Sequence, residues 1–302
     1  MKIVRMRQPE ELDRFFHSLR QESMESESSI RQVKSLFNTI KVEGYTAMED
    51  DTAVSVILFS REKSTILCCF VLPQYENKGI ERELVRKAVT ELKEGGAKRI
   101  TGAFVMSNPP VHIPIREELE LLKFTIAEEI EMANDKLDVQ PKHLPEEYSL
   151  LPYREIYRKD MIRVKYLGNK GDTGNPLVRG VTSMEETEEE ARKALSGQYG
   201  TFLPQPSLML FHGDDAVGCI TCVRRPDGVG IITNVTVVPE YRNRGLGKIL
   251  VAAALTTLKR LGIFRVQLSV VTSTVAAVKI YEGLGFKEIA RVCYYSWEDS
   301  SS

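Results

Sequence analysis

Residues 242–248 read Arg-Asn-Arg-Gly-Leu-Gly-Lys, and the chemistry open to them is anion binding. Gly245 and Gly247 permit a tight turn and leave no Cβ in the path of an approaching phosphate. Arg242, Arg244 and Lys248 add formal positive charge. The flanking elements must present that turn. Residues 229–239 form a β-branched run closed by a proline, which predicts a buried strand. Beyond the turn, Leu246, Ile249, Leu250, Ala253, Ala254 and Leu258 recur at helical spacing. A strand, a glycine turn and a helix start in that order bring unpaired first-turn N–H groups and the positive end of the helix dipole to one place. That combination suits a polyphosphate.

A second group follows in order. Residues 264–271 read as a strand, residues 274–281 as the helix Thr-Val-Ala-Ala-Val-Lys-Ile-Tyr, and Gly285-Phe286 opens a further strand. Together the two groups resemble the GNAT superfamily of N-acetyltransferases. Its signature is Gln/Arg-x-x-Gly-x-Gly/Ala, then a strand, a helix of the form Asn-x-x-Ala-x-x-x-Tyr, and Gly-Phe. Arg242, Gly245 and Gly247 match the first motif, and Ala277 and Tyr281 match the second. Thr274 departs from it, standing where the family commonly has Asn.

The resemblance spans roughly residues 148–297 and implies a co-substrate, acetyl-CoA, with no metal. By residue it implies that Val235, Thr236 and Val237 hold pantetheine and the thioester carbonyl through their backbone. Arg242, Asn243, Arg244, Gly245, Leu246, Gly247, Lys248 and Thr274 complete the cofactor-binding set. Tyr281 is the implied catalytic group, a general acid for the departing sulfur. No base is evident, because residues 231–236 carry no carboxylate and Asn234 can orient a water but not accept a proton. Asp214 and Asp215 belong to a turn first, and His212 reads as a strand-end residue.

The chain also repeats itself. Residues 71–99 align without a gap on residues 237–265 at an offset of 166, fixed by Gly79 and Gly245, with 13 identities in 29 positions. Glu76 then stands for Arg242 and Glu81 for Gly247, so two carboxylates are expected to face the place of the pyrophosphate and oppose it. Leu119 stands for Tyr281. The expected layout is therefore α/β (α+β): two tandem GNAT-like domains, each with a mixed, mostly antiparallel sheet flanked by helices. Residues 1–135 would form a degenerate copy, 136–147 a linker containing two prolines, and 148–302 the active domain. This layout is similar to that of mycothiol synthases.

Composition agrees. At 302 residues, with 27% charged residues and a net charge of −1, the chain shows no basic stripe for nucleic acid. It has no apolar run of membrane-spanning length and no signal-peptide pattern, and five cysteines fit a reducing, cytoplasmic setting. Cys219-x-x-Cys222 lacks a second pair and lies in an apparent strand. Ser183 followed by the acidic run 185–190 reads as a helix cap, on a helix that in the family borders the acceptor. Residues 198–202 could add aromatic walls there. The expected partner is an amine, on a small molecule, peptide or protein, used by a monomer or homodimer. An acetyl-CoA-binding sensor without transfer is the alternative.

Overall fold

Two strand pairs rich in β-branched and aromatic residues organise the chain, one at residues 52–71 and one at 215–237. In the computed structural model the described residues are 1–6, 10–22, 40–76, 78–106, 113–139, 143–170 and 183–299. They form two compact units, Met1–Glu128 with Ala290–Ser302, and Glu129–Ile289.

The first unit contains β1 (Lys2–Arg5), α1 (Glu10–Glu22), β2 (Glu43–Glu49), β3 (Thr52–Ser60), β4 (Thr65–Val71), α2 (Ile80–Glu94), β5 (Arg99–Met106) and α3 (Ile113–Leu121). The second begins within β6 (Thr125–Asn134). It continues through β7 (Tyr148–Pro152), α4 (Arg158–Asn169), α5 (Met184–Leu195), β8 (Thr201–Phe202), β9 (Leu208–His212), β10 (Asp215–Arg224), β11 (Gly230–Val237), α6 (Leu246–Arg260), β12 (Val266–Val271) and α7 (Val275–Glu282). The last strand, β13, spans Lys287–Glu298.

Within the first unit the strand order is β1-β2-β3-β4-β5-β13, and within the second it is β6-β12-β11-β10-β9-β7, with β8 beside β10. Neighbours are antiparallel except β4 with β5 and β11 with β12. These are the mixed, mostly antiparallel sheets expected. The repeat extends to register: Ile66 pairs with Gly102, and Ile232 with Leu268, each shifted by the same 166 residues. Both central pairs carry one bulge, after Leu58 in β3 and after Thr221 in β10, which leaves Leu67 and Thr233 out of register.

The expected division at 136–147 follows chain order, whereas the compact units do not. Residues 129–134 of β6 pair with β12, and residues 291–298 of β13 pair with β5. Without those strands β5 and β12 would expose ladder groups and apolar side chains at a sheet edge. Each is closed by a strand from the other half of the sequence. Asn134, two residues before the expected linker, is a buried bracket. Its Oδ1 accepts from the Lys136 and Leu137 amides at 3.0 and 2.9 Å, and its Nδ2 donates to the Leu284 carbonyl at 2.7 Å. Part of the expected linker (140–142) and the terminal serines lie outside the described residues.

The core of the second unit packs α6 through Leu246, Leu250, Ala254 and Leu258 against Val217, Ile220, Ile232 and Val266. The first unit has one apolar layer under α2 and another under α1, where Leu12, Phe15, Phe16 and Leu19 meet Val56, Leu58 and Cys68.

Candidate active site

β11 and β12 run together only as far as Ile232 opposite Leu268. β11 continues to Val237 and β12 to Val271. From Thr233 to Val237 the strand therefore has no ladder partner on its β12 side among the described residues. The bulge at Thr233 supplies the cause, since an extra residue bends a strand and increases its twist. Its hydroxyl lies 2.8 Å from that of Thr221 and also donates to the Thr221 carbonyl at 3.2 Å. Val235, Thr236 and Val237 all lie on this free edge, and the Thr236 side chain is buried.

Past the strand, a single 3-10 turn over Pro239–Tyr241 leads to α6. Gly245 takes φ +78°, a left-handed conformation that an L side chain resists, and caps the helix without any side-chain bond. A Cβ at Gly245 or at Gly247 would meet nothing within 4 Å. The helix start thus opens onto free space with its first N–H groups pointing out, and the residues present fit a phosphate chain.

The two arginines are braced. Arg242 donates through Nε to the Val237 carbonyl at 3.1 Å and through Nη2 to the Gly168 carbonyl at the end of α4. Arg244 donates to Tyr148 Oη at 3.3 Å and to the Glu240 carbonyl at 3.1 Å, and lies 5.1 Å above the Tyr241 ring. Tyr241 and Tyr148 pack with His212, whose Nδ1 is 3.3 Å from Tyr241 Oη. His212 is therefore part of the turn's support. Asn243 holds φ +63° and Leu246 is an apolar anchor of the core. Lys248 reaches toward the end of α7, its Nζ 3.7 Å from where a Gly283 Cβ would stand.

Tyr281 closes α7 and is nearly buried, edge-on to Phe286 at 5.9 Å. Thr274 is the exposed residue before α7, and its carbonyl accepts from the Ala277 amide at 2.9 Å.

The corresponding part of the first unit differs. Gly79 retains the left-handed cap at φ +84°. Glu81 does not face the open turn as expected: it is 2% exposed and turns inward, where its charge reaches the Cys69 thiol. Where β4 leaves β5, Tyr295 of β13 donates to the Ile66 carbonyl at 3.4 Å. A Cβ on Gly102 would collide with that phenol, so the glycine makes room for it. Leu119, at the Tyr281 position, is fully buried.

Cys219 and Cys222 are buried free thiols on β10, pushed up by desolvation, Cys219 to about 11. Such thiols are poor nucleophiles and poor ligands. Ser183 caps α5 by accepting from the Glu186 amide at 3.2 Å. Glu189 binds Arg192, and Glu190 binds Lys193 and Tyr199, each at 2.7 Å. Sequence reasoning missed Lys165, which is buried on α4 with its Nζ 3.5 Å from Thr221 Oγ1. The available signal was a lysine within the inward stripe Met161, Val164, Lys165, Gly168.

The profile of the acetyltransferase (GNAT) family matches residues 10–112 and 179–286. The chain is 28% identical over 136 residues to the N-alpha-acetyltransferase MAK3 of Arabidopsis thaliana, covering 44% of this chain and 70% of that protein. It is 37% identical over 67 residues to the ribosomal protein bS18 alanine N-acetyltransferase of Escherichia coli K12, covering 22% of this chain and 45% of that protein. Its fold resembles a GCN5-related N-acetyltransferase from Sphaerobacter thermophilus, at a TM-score of 0.65 and 16% identity over 98% of this chain and 95% of the other. A tandem GNAT protein from the clavulanic acid biosynthesis pathway aligns at a TM-score of 0.50 and 15% identity over 87% and 84%.

Proposed function

The chain belongs to the GNAT acetyltransferase family, and from that premise we propose that its second unit moves an acetyl group from acetyl-CoA directly to a primary amine. The observation that carries this reading is the departure of β11 from β12 after Ile232, beside a helix start that is open above Gly245 and Gly247. Acetyl-CoA supplies an activated thioester. Val235, Thr236 and Val237 offer it a free backbone edge, where an N–H aimed at developing negative charge contributes a few kcal/mol, on the order of 3.

The first N–H groups of α6 and the charge of Arg242, Arg244 and Lys248 hold the phosphates, with Asn243 and Leu246 shaping the turn and Thr274 bordering α7. Tyr281 holds a proton for the leaving sulfur, a role suited to a phenol that stays protonated at neutral pH. The acceptor is an amine on a small molecule, peptide or protein. Peptide and protein amines gain support from the relatives, one named an N-alpha-acetyltransferase and the other an acetyltransferase of an alanine of ribosomal protein bS18.

In the first unit the buried Glu81, the Tyr295 phenol and Leu119 occupy the equivalent places, which supports a single cofactor site per chain. Calorimetric titration of acetyl-CoA into wild type and Gly247→Glu, followed by turnover against a panel of amines, tests this. One site in wild type, none in the variant and acetylation of at least one amine are expected. Absence of binding by wild type would sink the reading, and two sites would overturn the assignment to one unit.

A further inference from the structure

Acetyl transfer, on the reading above, requires the acceptor ammonium to lose a proton, and β11 carries no carboxylate. The second unit receives one from the first half of the sequence. β6 closes β12, and its Glu131 pairs with Ser269, the first residue of β12 past the last rung shared with β11. Side chains alternate across a strand, which fixes the face on which this pair stands. Gly230 is opposite Val266, and a Cβ at Gly230 would meet Leu258 of α6 at 3.6 Å. Val266, Leu268 and Val270 therefore turn toward α6, together with their neighbours Ile130 and Met132 of β6. Ser269 and Glu131 turn to the other face. That is the face on which Thr221 and Thr236 meet Lys165 and Gly168 of α4, and Asn234 shares it through its bond with Thr236.

The register sets these residues in a row. Ile232 lies opposite Leu268, and the next positions on the α4 face are Asn234 and Ser269, one on each lip of the gap. Glu131 stands one strand behind Ser269 and is exposed. Among the described residues it is in no ion pair or hydrogen bond. Its charge reaches Arg225, but that guanidinium is held by Asp227 and donates to Gln267 Oε1 at 3.2 Å. Glu129 follows on the same face of β6, buried, and Lys165 lies under α4. β11 and β12 add no charge here.

The first unit gives an internal comparison. At the offset of 166 residues Ala103 stands for Ser269, and its partner on β13 is Tyr294. The carboxylate thus accompanies the unit whose helix start is open above two glycines, and it is missing from the unit that carries Glu81 in place of the second.

We propose that Glu131, on the strand that the first half of the chain contributes to the second unit, accepts the proton that the acceptor ammonium must lose. The nitrogen enters the gap from the α4 face, between Asn234 and Ser269. Paired strands lie about 4.8 Å apart, so one water bridges the nitrogen to the carboxylate behind the lip. The ammonium gives a proton to that water, and the water gives one to a carboxylate oxygen of Glu131. One N–H bond breaks, one O–H bond forms, and the electron pair stays on nitrogen for attack on the thioester carbon. Being exposed, Glu131 returns its proton to solvent. α7, with Tyr281, packs beside α6. The proton therefore leaves the amine on one face of the sheet, while the sulfur receives one from the other. The site is then complete only with residues from both halves of the chain.

Kinetics and calorimetry on the full chain test this, with the best amine of the panel as acceptor. At neutral pH, Glu131→Gln should lower kcat/KM by about tenfold or more, with acetyl-CoA affinity as in wild type. Above the pH at which the amine itself loses its proton the substrate arrives neutral, and the variant should approach the wild-type rate. Glu131→Asp keeps the carboxylate and should recover most of the loss at neutral pH. A loss of the same size at both pH values would reduce Glu131 to a structural role and overturn the proposal, as would wild-type turnover by Glu131→Gln at neutral pH. Failure of wild type to bind acetyl-CoA, seen by calorimetry alone, defeats the transfer reading and this proposal with it, a result distinct from any outcome for Glu131.

Discussion

Gly168 of α4 sits so close to Thr236 of β11 that a Cβ at 168 would lie well inside contact distance of the threonine Cγ2. The helix therefore lies directly on the strand whose far edge is free. Gly168→Ala should displace α4 from β11 and cost about 1–3 kcal/mol through overpacking, outweighing the helix propensity gained, on the order of 1 kcal/mol. Thermal unfolding would register a lowered Tm, and acetyl-CoA affinity would fall with it because the strand edge shifts. An unchanged Tm would mean that the contact relaxes without strain.

Arg242 ties the same two elements together at the Gly168 and Val237 carbonyls. Its role is then geometric as well as electrostatic, and a lysine cannot reproduce the forked pair of bonds. Arg242→Lys should weaken acetyl-CoA binding by roughly tenfold or more, the equivalent of one charged hydrogen bond. Calorimetry giving wild-type affinity for the lysine variant would reduce the residue to a point charge.

Tyr281→Phe should keep acetyl-CoA affinity while lowering turnover by about tenfold or more, as expected for loss of a general acid. Stopped-flow or steady-state assays with the best amine found would check this, and equal turnover would remove the phenol from the mechanism.

The five cysteines are all buried. Desolvation raises the Cys219 thiol to about 11 and the Cys293 thiol to about 12, with Cys68, Cys69 and Cys222 also pushed up. At pH 8 a thiol titrating near 11 is ionised to roughly one part in a thousand. Native protein should therefore resist a thiol reagent that modifies five groups after guanidinium unfolding. The sign for stability follows: the unfolded chain ionises its thiols first. Their contribution is full below the ordinary thiol value and is lost as pH rises through the folded values. Unfolding in alkali should become easier from about pH 9 upward, as denaturant titrations over that range would measure.

The turn at 242–248, the following helix and the repeat were legible because each is a local pattern. Gly245 takes a conformation that only its type accepts readily, and apolar residues at helical spacing declare α6 without reference to the rest of the chain. The ungapped match of 71–99 to 237–265 carries over to register. The inward turn of Glu81 was not legible, since a carboxylate in the first turn of a helix reads equally well as facing solvent.

Tertiary structure alone decided the rest. Which strand closes which edge depends on pairing between residues far apart in sequence. So β13 lies against β5 and β6 against β12, although chain order suggested otherwise. Likewise nothing local marks Lys165, Thr221 and Thr233 as neighbours. They meet because α4 crosses the bulge of β10 and β11 closely enough to require Gly168, and burial then forces their polar atoms to find one another.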